Sequence, residues 1–436
     1  MKLFDLSLKL AGFPMKEAQK HFAEILNVPE SEYEAFIEKK KSEIVQFHLE
    51  HNSFYRNLCK GKNVENWNDL PIMTKNDFQK PLLERLSNGF TIKNVFINKT
   101  SGSSGNPMVF AKDKMCHAMV WVNIMRRFKW YDLDFNQSLQ ARFYGMSLDF
   151  KAGKIVRLKD YLSKRYRFSI FDLSDKGIQR IIEVFSNKKF EYINGYTSNV
   201  VLIAKYLKKN NSVLSNICPT LKCCIVTSEM LFEDDRLLIE KYIGVPVINE
   251  YGASELDIIA FENKNKEWIV NAETLFVEIL DHENKPIPYG LEGKIVVTSL
   301  QNKAHPFIRY EVGDFGILQE NSSFKKPILK KLIGRTNDFA KLPSGKIAAG
   351  MTFYSITKKL FNDYDTVSEF LIKQTKLDTF QIEYVSDTEF SKSQIDFITK
   401  TMSNYLEHGL HFSFIRKEKL ERSKSGKLKQ FVSLVK

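Results

Sequence analysis

One stretch of the chain combines residue types that bind anions: Thr100, Ser101, Gly102, Ser103, Ser104, Gly105, Asn106 and Pro107. It separates two short apolar runs, residues 95–97 and 108–111, and is therefore predicted to be a loop between two strands. Glycine lets backbone N–H groups converge on a ligand, and Ser and Thr hydroxyls add further donors. The composition indicates an anion-binding loop, with a flexible surface turn as the alternative.

Polar residues also follow two other predicted strands. The apolar run 221–226 ends in Thr227, Ser228 and Glu229, and a helix is predicted over about 234–243. The next apolar run, 245–248, continues into Asn249-Glu250-Tyr251-Gly252-Ala253-Ser254-Glu255. In open α/β sheets ligands bind beyond the carboxyl ends of strands, so both segments are predicted to face a ligand.

Length and composition favour a large soluble protein. With 436 residues the chain exceeds one ordinary core, so two or more domains are expected. Hydrophobic residues make up 43% and charged residues 27%, and no stretch approaches the ~20 apolar residues of a membrane span. Lys2, Asp5 and Lys9 interrupt the first apolar pattern, so we expect no signal peptide and a cytoplasmic location.

The cysteines and the net charge each allow two interpretations. The 5 cysteines are scattered, which favours buried reduced thiols over a metal site that would use Cys218, Cys223 and Cys224. The net charge of +13 suits either a polyanionic partner or solubility with small phosphorylated ligands. No basic block or RNA-binding signature accompanies it, so we expect no nucleic-acid partner.

The hydrophobic periodicity predicts an α/β chain. Residues up to about 60 have helical spacing, Thr74 is a candidate cap of a short helix, and Asp113 is predicted to cap a long one. Helical and strand patterns alternate over 172–227, and strand patterns dominate 268–320. We expect a large N-terminal domain, 1–334, of layered sheets and helices with a β-rich subdomain. A small mobile α+β C-terminal domain, 335–436, should follow.

Taken in order, the motifs resemble those of the adenylate-forming superfamily, which contains acyl-CoA synthetases and peptide-synthetase adenylation domains. The detail is most similar to the phenylacetate–CoA ligase-like branch, which includes relatives in capsular polysaccharide biosynthesis. The resemblance covers about residues 50–436. The motifs are Leu70-Pro71, Thr74-Lys75-Asn76-Asp77, the loop from Thr100 to Pro107, Thr227-Ser228-Glu229, Tyr251-Gly252-Ala253-Ser254-Glu255, Arg309-Tyr310-Glu311-Val312-Gly313-Asp314, Gly334-Arg335 and Ser425-Gly426-Lys427.

The resemblance implies a binding role for each motif. The loop Thr100 to Gly105 would hold the β- and γ-phosphates of ATP, and Glu255 would hold Mg²⁺. Tyr251 would stack on adenine. The remaining residues of the nucleotide slot would be Ser228, Glu229, Glu250, Gly252, Ala253 and Ser254.

The same resemblance assigns residues around the predicted domain boundary. Asp314 would accept hydrogen bonds from the ribose hydroxyls, and Arg335 would reach the ribose or a phosphate. Asn337 and Asp338 would form the hinge of the small domain. Lys427 would bridge the substrate carboxylate and the α-phosphate during adenylation.

Position 108, directly after the predicted loop, differs from the pattern of the superfamily. Met108 stands where many members of the superfamily have a lysine, so a phosphate-facing cation is missing.

Phe143, Tyr144, Gly195 and Tyr196 are candidate residues of the acid pocket, and the core is the alternative location of the aromatic rings.

The resemblance implies an AMP-forming carboxylate ligase with ATP, Mg²⁺ and a small carboxylic acid as ligands. Transfer of the acyl group to CoA is the leading second step. An amine or hydroxyl acceptor in capsule or other polysaccharide biosynthesis is an alternative, and a non-catalytic polyanion-binding protein is another. A homodimer is left open.

Overall fold

The computed structural model describes residues 2–100, 107–144, 150–170, 172–335, 339–349, 367–422 and 427–435, together with residues 354, 357, 358 and 361. The chain divides into two compact units. The first comprises residues 1–312 and 316–331, and the second comprises 313–315 and 332–436. The short piece 313–315 therefore groups with the C-terminal part of the chain, which the sequence does not predict.

The predicted α/β class is confirmed by the mixture of helices and sheets in the described residues. The helices are α1 (Leu3–Leu10), α2 (Met15–Asn27), α3 (Glu30–His51), α4 (Ser53–Leu58), α5 (Leu82–Arg85), α6 (Lys114–Lys129), α7 (Phe150–Leu162), α8 (Asp175–Asn187), α9 (Thr197–Lys209), α10 (Leu214–Ile217), α11 (Glu233–Ile243) and α12 (Lys392–Tyr405). The strands of the first unit up to the β-rich region are β1 (Val95–Lys99), β2 (Val109–Asp113), β3 (Gln140–Phe143), β4 (Arg165–Phe168), β5 (Tyr192–Tyr196), β6 (Cys223–Thr227), β7 (Val247–Ala253), β8 (Asp257–Glu262) and β9 (Trp268–Val270). The later strands are β10 (Leu275–Leu280), β11 (Gly293–Ser299), β12 (Tyr310–Leu318), β13 (Leu329–Arg335), β14 (Phe339–Lys341), β15 (Ile347–Ala349), β16 (Val367–Lys376), β17 (Thr379–Ser386), β18 (His411–Lys417) and β19 (Phe431–Ser433).

A sheet of 7 described strands, in the order β4-β3-β5-β6-β7-β8-β9, is the centre of the first unit. Strands β4, β3, β5, β6 and β7 are parallel. Strands β8 and β9 continue the sheet beyond β7 with antiparallel pairing. One face packs against apolar residues of α8, α9 and α11, and the other packs against α1 and α6. The carboxyl ends of the parallel strands therefore meet at one edge of the sheet, where the predicted polar segments lie.

A second sheet with the order β10-β11-β12-β13 forms the β-rich region. Residues 313–315 of β12 and 332–335 of β13 group with the second unit, and the other residues of both strands group with the first. The second unit contains a sheet with the order β18-β17-β16-β19 and helix α12. Ser391 begins α12 with a capping box, in which Gln394 is the reciprocal partner.

Several local expectations can be checked directly. Asp113 caps α6 as predicted, because its Oδ1 accepts from the Cys116 N–H at 2.7 Å. The 5 cysteines are free and buried, which confirms the reduced core thiols. The helix-cap prediction for Thr74 is wrong. Its N–H and hydroxyl instead donate to Asp77 Oδ2, and only a short 3-10 turn, Asp77–Gln79, follows.

Among the residues that the model describes, none of the helices combines the length and the apolar character needed to cross a bilayer.

Arg127 and Arg126 on α6 offer a matched test of what buried charge contributes to this fold. Arg127 is fully buried and donates to the Ile269 and Val270 carbonyls and to Glu273. Arg126 contacts the same Glu273, but its side chain is 37% exposed. Replacing Arg127 would leave buried acceptors without a donor.

We expect Arg127→Met to lower the free energy of unfolding by about 3 kcal/mol and Arg126→Met by about 1 kcal/mol or less. Urea denaturation followed by circular dichroism would measure both values. Equal losses of unfolding free energy in the two variants would contradict the larger stabilising role given to the buried Arg127.

Candidate active site

The predicted phosphate loop begins and ends on a well-defined hairpin. Strands β1 and β2 pair antiparallel, from Val95 with Asp113 to Lys99 with Val109. Thr100 donates its N–H to the Met108 carbonyl at 2.9 Å, and its hydroxyl accepts from the Met108 N–H at 2.9 Å. Thr100 therefore serves the base of the loop. The other predicted loop residues lie outside the described part of the chain: Ser101, Gly102, Ser103, Ser104 and Gly105.

The turn between β7 and β8 carries Glu255. Gly252 comes so close to the next strand that a Cβ there would lie 2.2 Å from the Asp257 carbonyl oxygen. Only glycine fits this approach without displacing backbone. Ala253 ends β7, Ser254 is exposed in the turn, and Glu255 is buried. The glycine of the motif thus shapes the turn that presents the carboxylate.

Glu255 is held by Tyr310, which belongs to the motif at residues 309–314. The Tyr310 hydroxyl donates to Glu255 Oε1 at 2.8 Å, and both residues are buried. Arg309 precedes Tyr310 with a φ of +46°, and its Nη1 donates to the carbonyls of Trp67, Asn68 and Leu70. The motifs around residues 251–255 and 309–314 therefore meet in space.

Lys112 is a buried cation beside this turn that sequence reasoning missed. Its ammonium forms an ion pair with Asp257, and its side chain is only 3% exposed. Burial lowers the pKa of Lys112 to about 8, while Cys116 and the Glu255 carboxylate oppose that shift. The alternation of side chains along β2 could have indicated that Lys112 is buried. Lys112 lies on the same side of the strand as Met108 and Phe110, which are both buried.

The carboxylate of Glu255 suits Mg²⁺ if a nucleotide supplies further ligands. No cluster of three or more acidic, His or Cys side chains that could hold a metal is found among the described residues. Mg²⁺ is usually bound through one or two carboxylates together with substrate phosphates and water, so one buried glutamate is a sufficient protein contribution. Glu255 would hold the ion, and the ion would neutralise phosphate charge.

The residues after β6 are arranged for helix capping. Glu229 accepts from the Ser198 N–H at 2.8 Å, and its backbone carbonyl accepts from the Thr197 hydroxyl. A carboxylate at the start of α9 is favoured by the free N–H groups there. Ser228 is exposed with a φ of +69°. Glu229 thus has a structural role in addition to its predicted place in the nucleotide slot.

Strand alternation separates two residues that were predicted to share that slot. Thr227 pairs with Glu250, and Tyr251 pairs with Ala260 of β8. Successive side chains of a strand point to opposite faces, so Glu250 and Tyr251 do not line one surface. Tyr251 is buried, with its ring centre 6.3 Å from that of Trp268. Glu250 and Tyr251 therefore face opposite sides of β7, and the place of Glu250 in the nucleotide slot stays a prediction.

The four candidate acid-pocket residues also divide into two groups. The rings of Tyr144 and Tyr196 meet edge to face, with centroids 4.8 Å apart. Phe143 is fully buried and stacks on Phe168 at 4.7 Å, inside the core below α8. A Cβ at Gly195 would lie 2.7 Å from the Phe143 Cβ, so this glycine accommodates the ring. Phe143 and Gly195 are therefore core residues, which corrects the prediction for them.

The remaining predicted residues lie in the second unit. Asp314 is buried on β12, and Arg335 is the last residue of β13. The predicted hinge residues Asn337 and Asp338 fall outside the described residues.

Lys427 is positioned by Leu428, the residue that follows it. The next residue, Leu428, packs in an apolar cluster with Leu371 and Leu420. Leu428 also forms an antiparallel bridge with Arg422, which is ion-paired with Glu369. Lys427 is only partly buried, so its position is anchored by the packing of its neighbour.

Comparisons with known proteins identify proteins and structures that are similar to this chain. The chain is 26% identical over 444 residues to protein CapK of Staphylococcus aureus, covering 94% of this chain and 92% of that protein. It is 28% identical over 124 residues to phenylacetate-coenzyme A ligase of Aromatoleum evansii, covering 27% and 28%. The crystal structure of 2-hydroxyisobutyryl-CoA ligase in complex with R3-HIB-AMP has a TM-score of 0.72 at 16% identity, covering 93% of this chain and 90% of that one. No family model matches the chain.

These similarities confirm the resemblance on which the residue predictions rest. The chain has the fold of the adenylate-forming superfamily. Within it, the chain is related in sequence to protein CapK over nearly its whole length and to a phenylacetate–CoA ligase over a shorter segment.

Lys112 and the neighbouring exposed Lys114 form a natural pair of variants. Lys112→Met would leave Asp257, which is 26% exposed, and the buried Glu255 without their cation. We expect a loss of about 2 kcal/mol in the free energy of unfolding, against about 0.5 kcal/mol or less for Lys114→Met. Thermal and urea unfolding would test this, and an unchanged stability of Lys112→Met would refute it.

Glu250 gives a prediction for the pH dependence of stability. Burial raises its pKa from 4.5 to about 7, although a hydrogen bond from Thr227 and the charge of Arg142 oppose the shift. The folded protein therefore keeps this proton where the unfolded chain releases it. The stabilising contribution is complete below the unfolded-state pKa and is lost as the pH rises towards about 7.

Glu250→Gln removes this loss. Its stability relative to the original chain should increase by on the order of 2 kcal/mol between about pH 5 and about pH 7.5. Urea denaturation at the two pH values would measure the difference. Glu183→Gln, at an exposed position of α8, is the control and should show no such trend.

Proposed function

We propose that this chain is an AMP-forming carboxylate ligase. It would join a carboxylic acid to the α-phosphate of ATP with release of pyrophosphate, and then pass the acyl group to a thiol, for which CoA is the leading candidate. The observation that carries the proposal is the hydrogen bond from Tyr310 to Glu255. It joins two superfamily motifs that are distant in sequence, in a chain similar to known CoA ligases.

The first step requires charge neutralisation above all. A carboxylate attacks a phosphate, so two anions must approach each other, and positioned cations and donors lower that barrier. The loop on β1 and β2 would donate to the β- and γ-phosphates, and Glu255 would hold Mg²⁺. Asp314 would accept from the ribose hydroxyls, because an ionised carboxylate has two acceptor oxygens. Lys427 would bridge the acid and the α-phosphate.

The acceptor of the second step is supported only by the comparisons. The relatives and structural neighbours include enzymes named as CoA ligases. An amine or hydroxyl acceptor, as in polysaccharide biosynthesis, requires the same first step. Addition of free CoA to the enzyme-bound acyl-adenylate would distinguish the two, since only a thiol-transferring enzyme would release acyl-CoA.

Lys427 can be tested against Lys429, an exposed lysine two residues further on. Acid-dependent exchange of labelled pyrophosphate into ATP should fall by about 100-fold or more in Lys427→Ala, since a cation that acts on the transition state is lost. Exchange should be unchanged in Lys429→Ala. Transfer from supplied acyl-adenylate to the acceptor should persist in both variants, because Lys427 would serve only the first step.

Full exchange by Lys427→Ala would exclude the role given to this lysine. Absence of exchange in the unmodified chain with every acid of a broad panel would overturn the proposed function itself.

A further inference from the structure

A set of polar side chains lies on one face of the central sheet at the edge where ligands are expected. Arg142 of β3 pairs in register with Asn194 of β5, which pairs with Ile225 of β6. Two residues further along, Thr227 of β6 pairs with Glu250 of β7. Residues paired in register share a face, so Arg142 and Glu250 point to the same side of the sheet.

The two charged groups face a common space without touching each other. Three strand spacings of about 4.8 Å each separate β3 from β7, so their backbones are roughly 14 Å apart. Among the described side chains, no ion pair joins Arg142 to Glu250 within 4.0 Å. Arg142 nevertheless acts electrostatically on Glu250. The two charged groups therefore lie on one face of the sheet without pairing with each other.

Aromatic rings border the same region. The Arg142 guanidinium lies 4.3 Å from the centre of the Tyr144 ring, which in turn meets Tyr196. Burial raises the pKa of the Tyr144 hydroxyl, and both Arg142 and Glu250 contribute to its electrostatic environment. Tyr144 therefore lies near both charged groups.

The hydrogen-bonding capacity of Arg142 is incompletely used. Its Nη1 donates to Gln140 Oε1 at 3.3 Å, whereas its Nε is buried and has no hydrogen-bond partner among the described residues. Glu250 accepts from the Thr227 hydroxyl and, when ionised, has further acceptor positions. A buried donor without a partner destabilises the fold. A ligand that accepts from the Arg142 Nε–H and donates to Glu250 would give that donor its partner.

We propose that the acid activated by this chain carries hydroxyl groups, and that Arg142 and Glu250 recognise them. A hydroxyl donates to Glu250 while an oxygen of the same ligand accepts from Arg142. An apolar acid would leave the Arg142 Nε–H without an acceptor. An ammonium group would suit Glu250 but is repelled by Arg142. This inference rests on the proposed adenylation activity and adds the substrate class.

Matched acids test the substrate class. Pyrophosphate exchange would be measured with lactate, propionate and alanine, with mandelate, phenylacetate and phenylglycine, and with gluconate and hexanoate. The hydroxylated member should have a kcat/KM higher than its apolar partner by about 10- to 100-fold. Preference for the apolar or the ammonium members would overturn the inference and leave the proposed function standing. Exchange with none of these acids, but with apolar or ammonium-bearing acids outside the set, would also overturn it.

Variants separate recognition from a structural effect. Glu250→Leu should reduce kcat/KM for the preferred hydroxy acid by about 10-fold or more, mainly through KM, and leave its apolar partner unchanged or improved. Arg142→Met should do the same, and Glu183→Gln should have no effect. An equal loss for both members of a pair in both variants would show that these residues do not set specificity. Circular dichroism of each variant would verify folding, and an unfolded Glu250→Leu would be replaced by Glu250→Ala, with the same expected direction.

Discussion

The buried guanidinium of Arg309 is the interaction on which the candidate nucleotide site depends. It lies on the first unit with 0% exposure, donates to the carbonyls of a turn near residue 70 and lies 3.5 Å from Glu278. A buried charge without partners would cost several kcal/mol, so this turn must stay against the start of β12. Tyr310 is then placed to donate to Glu255. A single paired charge thus connects the β-rich region to the turn after β7.

Side chains alternate along β7, so its two faces can contact different ligands. Tyr251 and Glu250 are adjacent in sequence but point in opposite directions, so one strand can serve a nucleotide and an acid at the same sheet edge. The opposite face of β3 carries Phe143, which the core requires. The proposed acid region therefore includes fewer of the candidate aromatic residues than the sequence indicates. Its charged residues come from β3 and β7, which β5 and β6 separate.

The fold class, the loop between two strands at residues 100–107 and the Asp113 cap were predictable from the sequence, because each depends on local pattern or on turn chemistry. Contacts between distant residues were not predictable in that way. Lys112 meets Asp257 across 145 residues, and the two residues lie on strands of different sheets, β2 and β8. The direction of Glu250 likewise depends on the register between β6 and β7, which a single sequence does not specify.

Lys112 can be compared with the lysine that many superfamily members have at position 108, beside the predicted phosphate loop. Both side chains share one side of β2, so a lysine at 108 would be expected to project in the same direction as Lys112. Lys112 is nevertheless no substitute, because its charge is already paired with Asp257. With Glu255 close by, the three ionised groups carry one net negative charge. A site of that sign attracts a divalent cation and repels bare phosphate. Phosphate charge would therefore be balanced by Mg²⁺, by backbone and hydroxyl donors and by Lys427.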